Sequence, residues 1–459
     1  MENQRLIPLN FKEINGKYLL VNLSGDFIFL DKIAFNDFID FTAIIPNLEN
    51  RFYINSLDGL AEVISKYKKS KQYLKQSTSL FIIVVTNRCN LNCIYCQASR
   101  NNSSDKRYDM DQSTASKAID LILQFPGKNL TIEFQGGEPL LNFEIIKFIV
   151  DNFKKKNNVN KELKFNIVTN LTEIDKEKIN FILENNITLC TSCDGNREVQ
   201  DYNRPFNKRS SFDALREKLQ LIKAITNGKI GMNGILTTTK KSLQYPKEVV
   251  DEYLKLGLDS IYIRSVNPFG LAKKIFSIIG YSPYEFLDFY KNCLDYIIEI
   301  NKKGKLFIEG TAQIFLKKIL GDGVNHMEFR SPCGAIIGQI AINYNGSIYT
   351  CDEGRMMAQT GDDSFKIGEV SYSLYKNLFD NETTKTMCLA SCMESFPRCN
   401  QCVYLPYCGI CPIINYTEEG DIFKNNSFRC VINEGILDYL FGLLDKDQEA
   451  TKIFKKWIY

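Results

Sequence analysis

Cys89, Cys93 and Cys96, separated by three and two residues, stand in the run Thr86-Asn87-Arg88-Cys89-Asn90-Leu91-Asn92-Cys93-Ile94-Tyr95-Cys96. Thiolates bind soft and borderline metals, so three in one tight loop point to zinc or an iron–sulfur cluster. A [4Fe–4S] cube on three thiolates keeps one iron open, able to chelate a small ligand carrying an amine and a carboxylate. Structural zinc wants four ligands, and no fourth Cys or His lies near this loop. A second thiol field follows. Cys333 and Cys351 flank Gly346 as C-x12-G-x4-C. Cys399, Cys402, Cys408 and Cys411 read C-x2-C-x5-C-x2-C, and Cys430 closes the set. Cys388 and Cys392 are spare candidates. Cys190, Cys193 and Cys293 read as small apolar residues. His326 is the only histidine, which argues against a His-rich zinc site, haem ligation or a Ser-His triad.

The elements that must position these thiols fall in three stretches. Residues 1–78 carry no cysteine. There, apolar runs at 17–22 and 26–30 flank Ser24-Gly25 as a hairpin, and helices are predicted near 35–43 and 59–75. The lysine-rich run 66–75 reads as a solvated helix end. From residue 79 strand and helix alternate. Strands are predicted at 79–85, 130–134, 164–168, 187–192, 229–236 and 260–263. Helices are predicted at 113–123, 143–156, 176–185, 212–225 and 246–256. Six such units imply an α/β parallel sheet, either doubly wound or a partial barrel, with ligands at the carboxyl ends of the strands. A helix at 283–302 leads to a Cys-rich part with little regular pattern, and 435–444 again reads as helix.

The 459 residues suggest two or three domains. A net charge of +3 without a basic arm makes nucleic acid an unexpected partner. No apolar stretch reaches the roughly 18 residues of a membrane span, and residues 1–10 lack a signal-peptide core. A cytoplasmic, membrane-free location is the expectation. Fifteen cysteines in such a reducing compartment argue for metal rather than disulfides.

The CxxxCxxC loop after a first strand, with Tyr95 before its last cysteine, resembles the radical S-adenosylmethionine (SAM) superfamily. That resemblance implies a partial (β/α)6 TIM-type barrel. It also implies a cluster on Cys89, Cys93 and Cys96 that reductively cleaves SAM to a hydrogen-abstracting 5′-deoxyadenosyl radical. Further motifs follow in order. Gly136-Gly137-Glu138-Pro139 resembles the site for the SAM amine, its glycines letting backbone approach the ligand. Thr169-Asn170 resembles a TNG turn, with Leu171 in place of the glycine. Ser192-Cys193-Asp194-Gly195 resembles an S-x-D-G segment whose polar groups approach the ribose. Arg204, and more weakly Arg264, would partner the SAM carboxylate.

The second thiol field resembles the SPASM extension, an irregular Cys-rich domain holding auxiliary [4Fe–4S] clusters in peptide-modifying enzymes. That pattern implies one cluster on Cys399, Cys402, Cys408 and Cys430, and part of another on Cys333, Cys351 and Cys411. The final gap is two residues where three is usual. Some relatives supply a fourth thiol soon after the first, where Gln339 stands here, leaving an open iron, a different ligand or a substrate thiol. Asp352 occupies the place of a base that, in anaerobic sulfatase-maturing relatives, deprotonates the substrate radical. A carboxylate beside an anionic cluster would suit proton transfer.

The front region resembles the winged-helix-like α+β domain with which peptide maturases hold a leader by strand addition. The expected domains are 1–78 (peptide recognition), 79–308 (barrel), 309–435 (SPASM) and 436–459 (C-terminal helix). The motif set looks most like maturases of the His-Xaa-Ser peptide system. This implies a cross-linked ribosomal peptide and a flavodoxin- or ferredoxin-type reductant. The alternatives are a sulfatase-type maturase making formylglycine and a zinc-binding adaptor.

Overall fold

The computed structural model describes residues 6–458 apart from 41, 43–48, 53–56, 322–325 and 425–426. The run Leu-Phe-Ile-Ile-Val-Val-Thr forms the strand β4 (Leu80–Thr86), buried on both faces as a central parallel strand must be. In chain order the front sheet supplies β1 (Leu9–Ile14), β2 (Lys17–Asn22) and β3 (Phe27–Leu30). The short pair β5 (Arg88–Cys89) and β6 (Asn101–Asn102) follows β4. The remaining strands are β7 (Asn129–Gly136), β8 (Glu162–Thr169), β9 (Thr188–Ser192), β10 (Met232–Thr238), β11 (Ser260–Ser265), β12 (Ile308–Glu309), β13 (Gln339–Ile342), β14 (Ser347–Tyr349) and β15 (Lys366–Glu369).

The main sheet runs β12-β11-β10-β9-β8-β7-β4-β13-β14-β15. Its six central strands, β4 and β7 to β11, are the six predicted ones, all parallel and linked by helices. The radical SAM-type α/β fold is therefore present. The sheet is also wider than six strands. β12 extends one edge in parallel, while β13 pairs parallel with β4 and turns antiparallel into β14 and β15, so residues of the Cys-rich part complete the barrel sheet.

Side-chain caps start the crossover helices where the sequence offers them. Asp111 accepts from Thr114 N, Asp175 from Lys178 N and Ser210 from Asp213 N. The helix Pro283–Lys302 opens on a full Ser282/Glu285 capping box.

The expected hairpin at 17–22 and 26–30 is β2–β3, and the structure adds three features to the sequence reading. The front sheet has three strands, because β1 and β2 join through Asn15-Gly16 with both residues at positive φ (55° and 80°). That Asn-Gly hairpin signal was legible in the sequence. The lysine run is not merely solvated: Lys66 pairs with Asp26 (2.5 Å) and Lys71 with Glu394 (2.6 Å). Both line a cleft of about 470 Å³ that also includes Arg330 and Tyr407. The helix Phe428–Lys446 runs across the expected limit at 435, and a separate helix, Gln448–Ile458, follows it. The end of the helix predicted at 35–43 falls partly on residues 41 and 43, outside those described.

The front sheet docks on the Cys-rich part. Asn10 Nδ2 donates to the carbonyls of Asn400 (2.8 Å) and Cys402 (3.1 Å), Lys12 pairs with Glu434 and Asp438, and Phe27 meets Phe441 edge-on.

Candidate functional site

The cysteine loop is anchored at both ends. β4 delivers Arg88, whose buried guanidinium forks onto Asp109 (Nε–Oδ1 2.7 Å, Nη2–Oδ2 2.7 Å) and donates to the carbonyls of Ser103 and Leu141. At the far end Cys96 O accepts from Leu271 N (3.0 Å). Between them Asn92 N and Ile94 N donate to the carbonyls of Pro205 and Asn203. The loop is thus stitched to the ends of several strands of the barrel, as ligands at a carboxyl-end site require.

Gly136 and Gly137 are closely packed against backbone. A Cβ on Gly136 would stand 2.0 Å from Thr86 O, and one on Gly137 2.2 Å from Arg88 O. They let the end of β7 approach the backbone leading into the cysteine loop. Gly137 N then donates to Thr86 O (3.0 Å) and Glu138 N to Arg88 O (2.7 Å). Pro139 opens the short helix Pro139–Asn142, capped by Glu138.

Glu138 is buried at the strand ends. Its Oε1 accepts from Leu140 N (3.0 Å) and Thr169 Oγ1 (2.6 Å), its Oε2 from Asn170 N (2.8 Å). Burial pushes its carboxyl up to about 7 against those three hydrogen bonds. A carboxylate has about four acceptor positions, so three bonds leave capacity for a further donor. Asn170 Nδ2 reaches toward Cys89 Sγ (3.9 Å), which brings the turn after β8 to the loop. Leu171 adopts the left-handed backbone (φ 64°) that glycine would take there more readily.

Asp194 and Arg204 pair with each other. Both are buried, and Arg204 Nε and Nη2 fork onto Asp194 at 3.0 and 3.2 Å. Tyr95 Oη donates to Asp194 Oδ2 (2.5 Å) and Thr237 N to Oδ1 (3.3 Å), so both oxygens of Asp194 accept from protein donors. The Arg204 guanidinium lies 5.2 Å over the Tyr95 ring, with Nη1 3.8 Å from Cys93 Sγ. Burial alone would discharge it, but Asp194 holds its pKa well above the ordinary value. This group is a clamp on the loop. Asp194→Asn leaves the buried Arg204 charge uncompensated, and a loss of about 3–5 kcal/mol is expected in the unfolding free energy measured by urea titration. Ser192 ends β9 beside them, half-buried.

Arg264, at the end of β11, is taken up by Glu328 (3.3 Å), which Arg429 also reaches (3.2 Å). Burial pushes the Glu328 carboxyl up, but Arg264 and Arg429 outweigh it and hold it down at about 2. Asp352 begins the helix Asp352–Ala358 and accepts from Arg355 Nε (3.1 Å). Its expected setting beside thiols thus includes a buried guanidinium. Sequence reasoning passed over Glu133 and Gln135, which alternate on β7 with Gln135 Nε2 donating to Glu133 Oε1 (2.7 Å). The alternation of polar Asn129, Thr131, Glu133 and Gln135 with apolar Leu130, Ile132 and Phe134 was the available signal.

The second thiol field forms two gatherings. Cys399, Cys402, Cys408, Cys411 and Cys430 line one apolar cavity of about 50 Å³. Loop 408–411 is pressed onto the chain at 328–330, where a Cβ on Gly409 would meet Glu328 O at 2.6 Å. Ile336 N donates to Thr350 O (2.9 Å), bringing the Cys333 loop to Cys351. Cys333, Cys351 and Cys411 are electrostatic neighbours, and burial pushes all three thiols up. Cys388 and Cys392 belong to the segment that packs on the Cys333 loop, where Ser391 Oγ accepts from Cys333 N (3.0 Å), and Cys392 lies beside Lys71 and Glu394. Cys193 and Cys293 are core residues. Among the described residues no three His, Cys, Asp or Glu side chains converge as one metal ion requires. A four-iron cube spaces its thiolates more widely, and the apolar thiol-lined cavity suits one.

The chain matches the Radical SAM superfamily model over residues 83–245. It is 33% identical over 248 residues to an uncharacterized protein of Methanocaldococcus jannaschii, spanning 51% of this chain and 83% of that protein. It is 25% identical over 349 residues to a cysteine-type anaerobic sulfatase-maturating enzyme of Clostridium novyi, spanning 72% and 87%. Among solved structures it resembles anSMEcpe with bound AdoMet (TM-score 0.68, 18% identity, 83% and 100% covered). It also resembles Streptococcus suis SuiB bound to precursor peptide SuiA (TM-score 0.55, 17% identity, 91% and 97% covered).

Fold, motif order and sequence therefore define an iron–sulfur protein of the SAM-cleaving class. The chain belongs to the radical SAM superfamily, and [4Fe–4S] clusters and SAM are its cofactors. No helix among the described residues is long and apolar enough to cross a membrane.

Proposed function

We propose that this chain is a cytoplasmic enzyme that matures a ribosomally made peptide, with an activity like that of the His-Xaa-Ser system maturases. The observation that carries this reading is the joining of three parts. A three-thiol loop sits at the strand ends, a second thiol field is built into the same sheet, and a small antiparallel sheet docks on that field. Among the described residues β3 has only β2 as a neighbour, so its outer edge is available to an added peptide strand. SuiB, crystallised with its precursor peptide, offers a parallel.

Cys89, Cys93 and Cys96 hold the SAM-binding cluster, whose chemistry is reductive cleavage of SAM to a carbon radical that takes a hydrogen atom from the substrate. Glu138 would accept from the SAM ammonium, with Thr169 and Asn170 holding its carboxylate in place. Gly136, Gly137 and Pro139 set the position of Glu138, and Tyr95, Asp194 and Arg204 brace the loop. Ser192 lies at the ribose side. Cys399, Cys402, Cys408 and Cys430 hold one auxiliary cluster, with Cys333, Cys351 and Cys411 on a second. Asp352 would take the proton, and the auxiliary clusters the electron, released as the peptide cross-link, carbon–carbon or thioether, is formed. A flavodoxin- or ferredoxin-type protein supplies electrons. The similarity to the Clostridium novyi enzyme favours a second reading, oxidation of Cys or Ser to formylglycine.

Because Glu138 titrates near 7, its ionised fraction grows roughly tenfold from about pH 6 to about pH 8. A raised acid is neutral below its pKa and charged above it, so SAM affinity rises with pH across this window. Equilibrium binding at several pH values is expected to show this in the wild type, and Glu138→Gln is expected to bind weakly with no such slope.

The reading is tested by iron and sulfide content and anaerobic SAM cleavage. About 8 to 12 irons per chain, two or three cubes' worth, with 5′-deoxyadenosine formed, are expected. Turnover of a Cys or Ser sulfatase peptide would move the assignment to the second reading. Zinc without iron and no cleavage would mean a non-enzymatic adaptor.

A further inference from the structure

By the SPASM pattern Cys333, Cys351 and Cys411 lack a fourth thiol, and Cys392, next to the Ser391 that accepts from Cys333 N, lies beside Lys71 and Glu394. Gln339, at the place where a fourth thiol would be sought, does not face them. It shares a strand face with Ala341, which packs against Ile82, Val84 and Tyr349. The alternate residues Ile340 and Ile342 face the main core, to which Cys333 and Cys351 belong. Successive side chains on a strand point to opposite faces, so Gln339 is turned away.

Glu353 is turned the other way. It lies two residues after Cys351, in the first turn of the helix Asp352–Ala358, and is an electrostatic neighbour of all three thiols. That helix turn packs on the chain just past Cys411, with Gly354 against Ile413. The charged groups around Glu353 are Glu328, Asp352, Arg264 and Arg429. Arg264 and Arg429 are committed to Glu328, and Asp352 is held by Arg355. Among the described residues Glu353 has no ion pair, and the hydrogen bond to its carboxylate comes from its own backbone N–H. A half-buried carboxylate beside three thiols and two other acids is costly unless a cation meets it.

We propose that Glu353 is the fourth ligand of the auxiliary cluster on Cys333, Cys351 and Cys411, giving that cube one oxygen-ligated iron. This rests on the cluster reading under Proposed function. An oxygen ligand at one corner makes that iron distinguishable and more readily displaced than a thiolate corner.

The experiment uses the full chain with Cys89, Cys93 and Cys96 changed to alanine, loaded with 57Fe, so that only auxiliary clusters report. Mössbauer spectra are compared for this parent, Glu353→Cys and the near-isosteric Glu353→Gln. Expected are about eight irons per chain, one of them a distinct subsite in the parent. That subsite merges with the thiolate-ligated irons in Glu353→Cys, and in Glu353→Gln it becomes accessible to added cyanide. A parent with no distinct subsite overturns the inference. So does a subsite unchanged in both variants. A parent containing almost no iron overturns the auxiliary-cluster reading itself, an outcome separated from the others by the iron count.

Discussion

With Cys89, Cys93 and Cys96 all changed to alanine, 5′-deoxyadenosine formation is expected to vanish and iron content to fall by about four per chain, one cube's worth. The three thiols are the loop's metal-binding groups, and Arg204 Nη1 and Asn170 Nδ2 already approach Cys93 and Cys89. Those contacts place the thiols at the barrel mouth. The Arg88–Asp109 fork and the Asp194–Arg204 ion pair, which set the path of the loop, are made between other side chains and remain when the thiols are removed. The variant is therefore expected to fold and to retain the auxiliary iron. Iron analysis together with chromatographic detection of 5′-deoxyadenosine checks both halves. Undiminished cleavage would remove this loop from the chemistry.

Gly137→Ala is expected to reduce SAM cleavage about a hundredfold or more, although it alters no ligand. The added methyl would lie 2.2 Å from Arg88 O and 2.6 Å from Arg88 C. Both are backbone atoms, so no side chain can swing aside. Relief requires β7 and the cysteine loop to separate, at a typical overpacking cost of about 1–3 kcal/mol. The separation breaks the Glu138 N–Arg88 O bond that links the carboxylate to the loop. A displacement of about 1 Å in a catalytic constellation commonly costs about a hundredfold in rate. Turnover measured beside iron content separates the mechanisms: full iron with slow cleavage indicates displaced groups, whereas lost iron indicates a collapsed loop. Wild-type turnover would show that the close approach does not matter.

Much of the fold was legible because its signals are local. The apolar run of β4, the Pro at the start of Pro246–Leu256 and the Ser282/Glu285 box each act within a few residues. The Asn15-Gly16 turn was equally legible, and its neglect cost the first strand of the front sheet. Strands β13 to β15 could not be read as part of the barrel. They are only three or four residues long, and what fixes β13 is its pairing with β4, more than 250 positions away.

The same division runs through the site. The types and spacing of Cys89, Cys93 and Cys96 determined the metal chemistry, since thiolates three and two residues apart can reach one cluster wherever the loop lies. The sequence also placed Glu138 and Asn170 at strand ends, because the strand periods end there. Only the tertiary structure showed that Gly136 and Gly137 admit the backbone leading into the cysteine loop, because that neighbour belongs to another strand. It alone paired Asp194 with Arg204 and Arg264 with Glu328. Polar spacing announces a charge but not its partner, which burial and packing across the chain select. It also turned Gln339 away from the thiols and Glu353 toward them, for the orientation of a side chain follows from the face its strand or helix presents to the core.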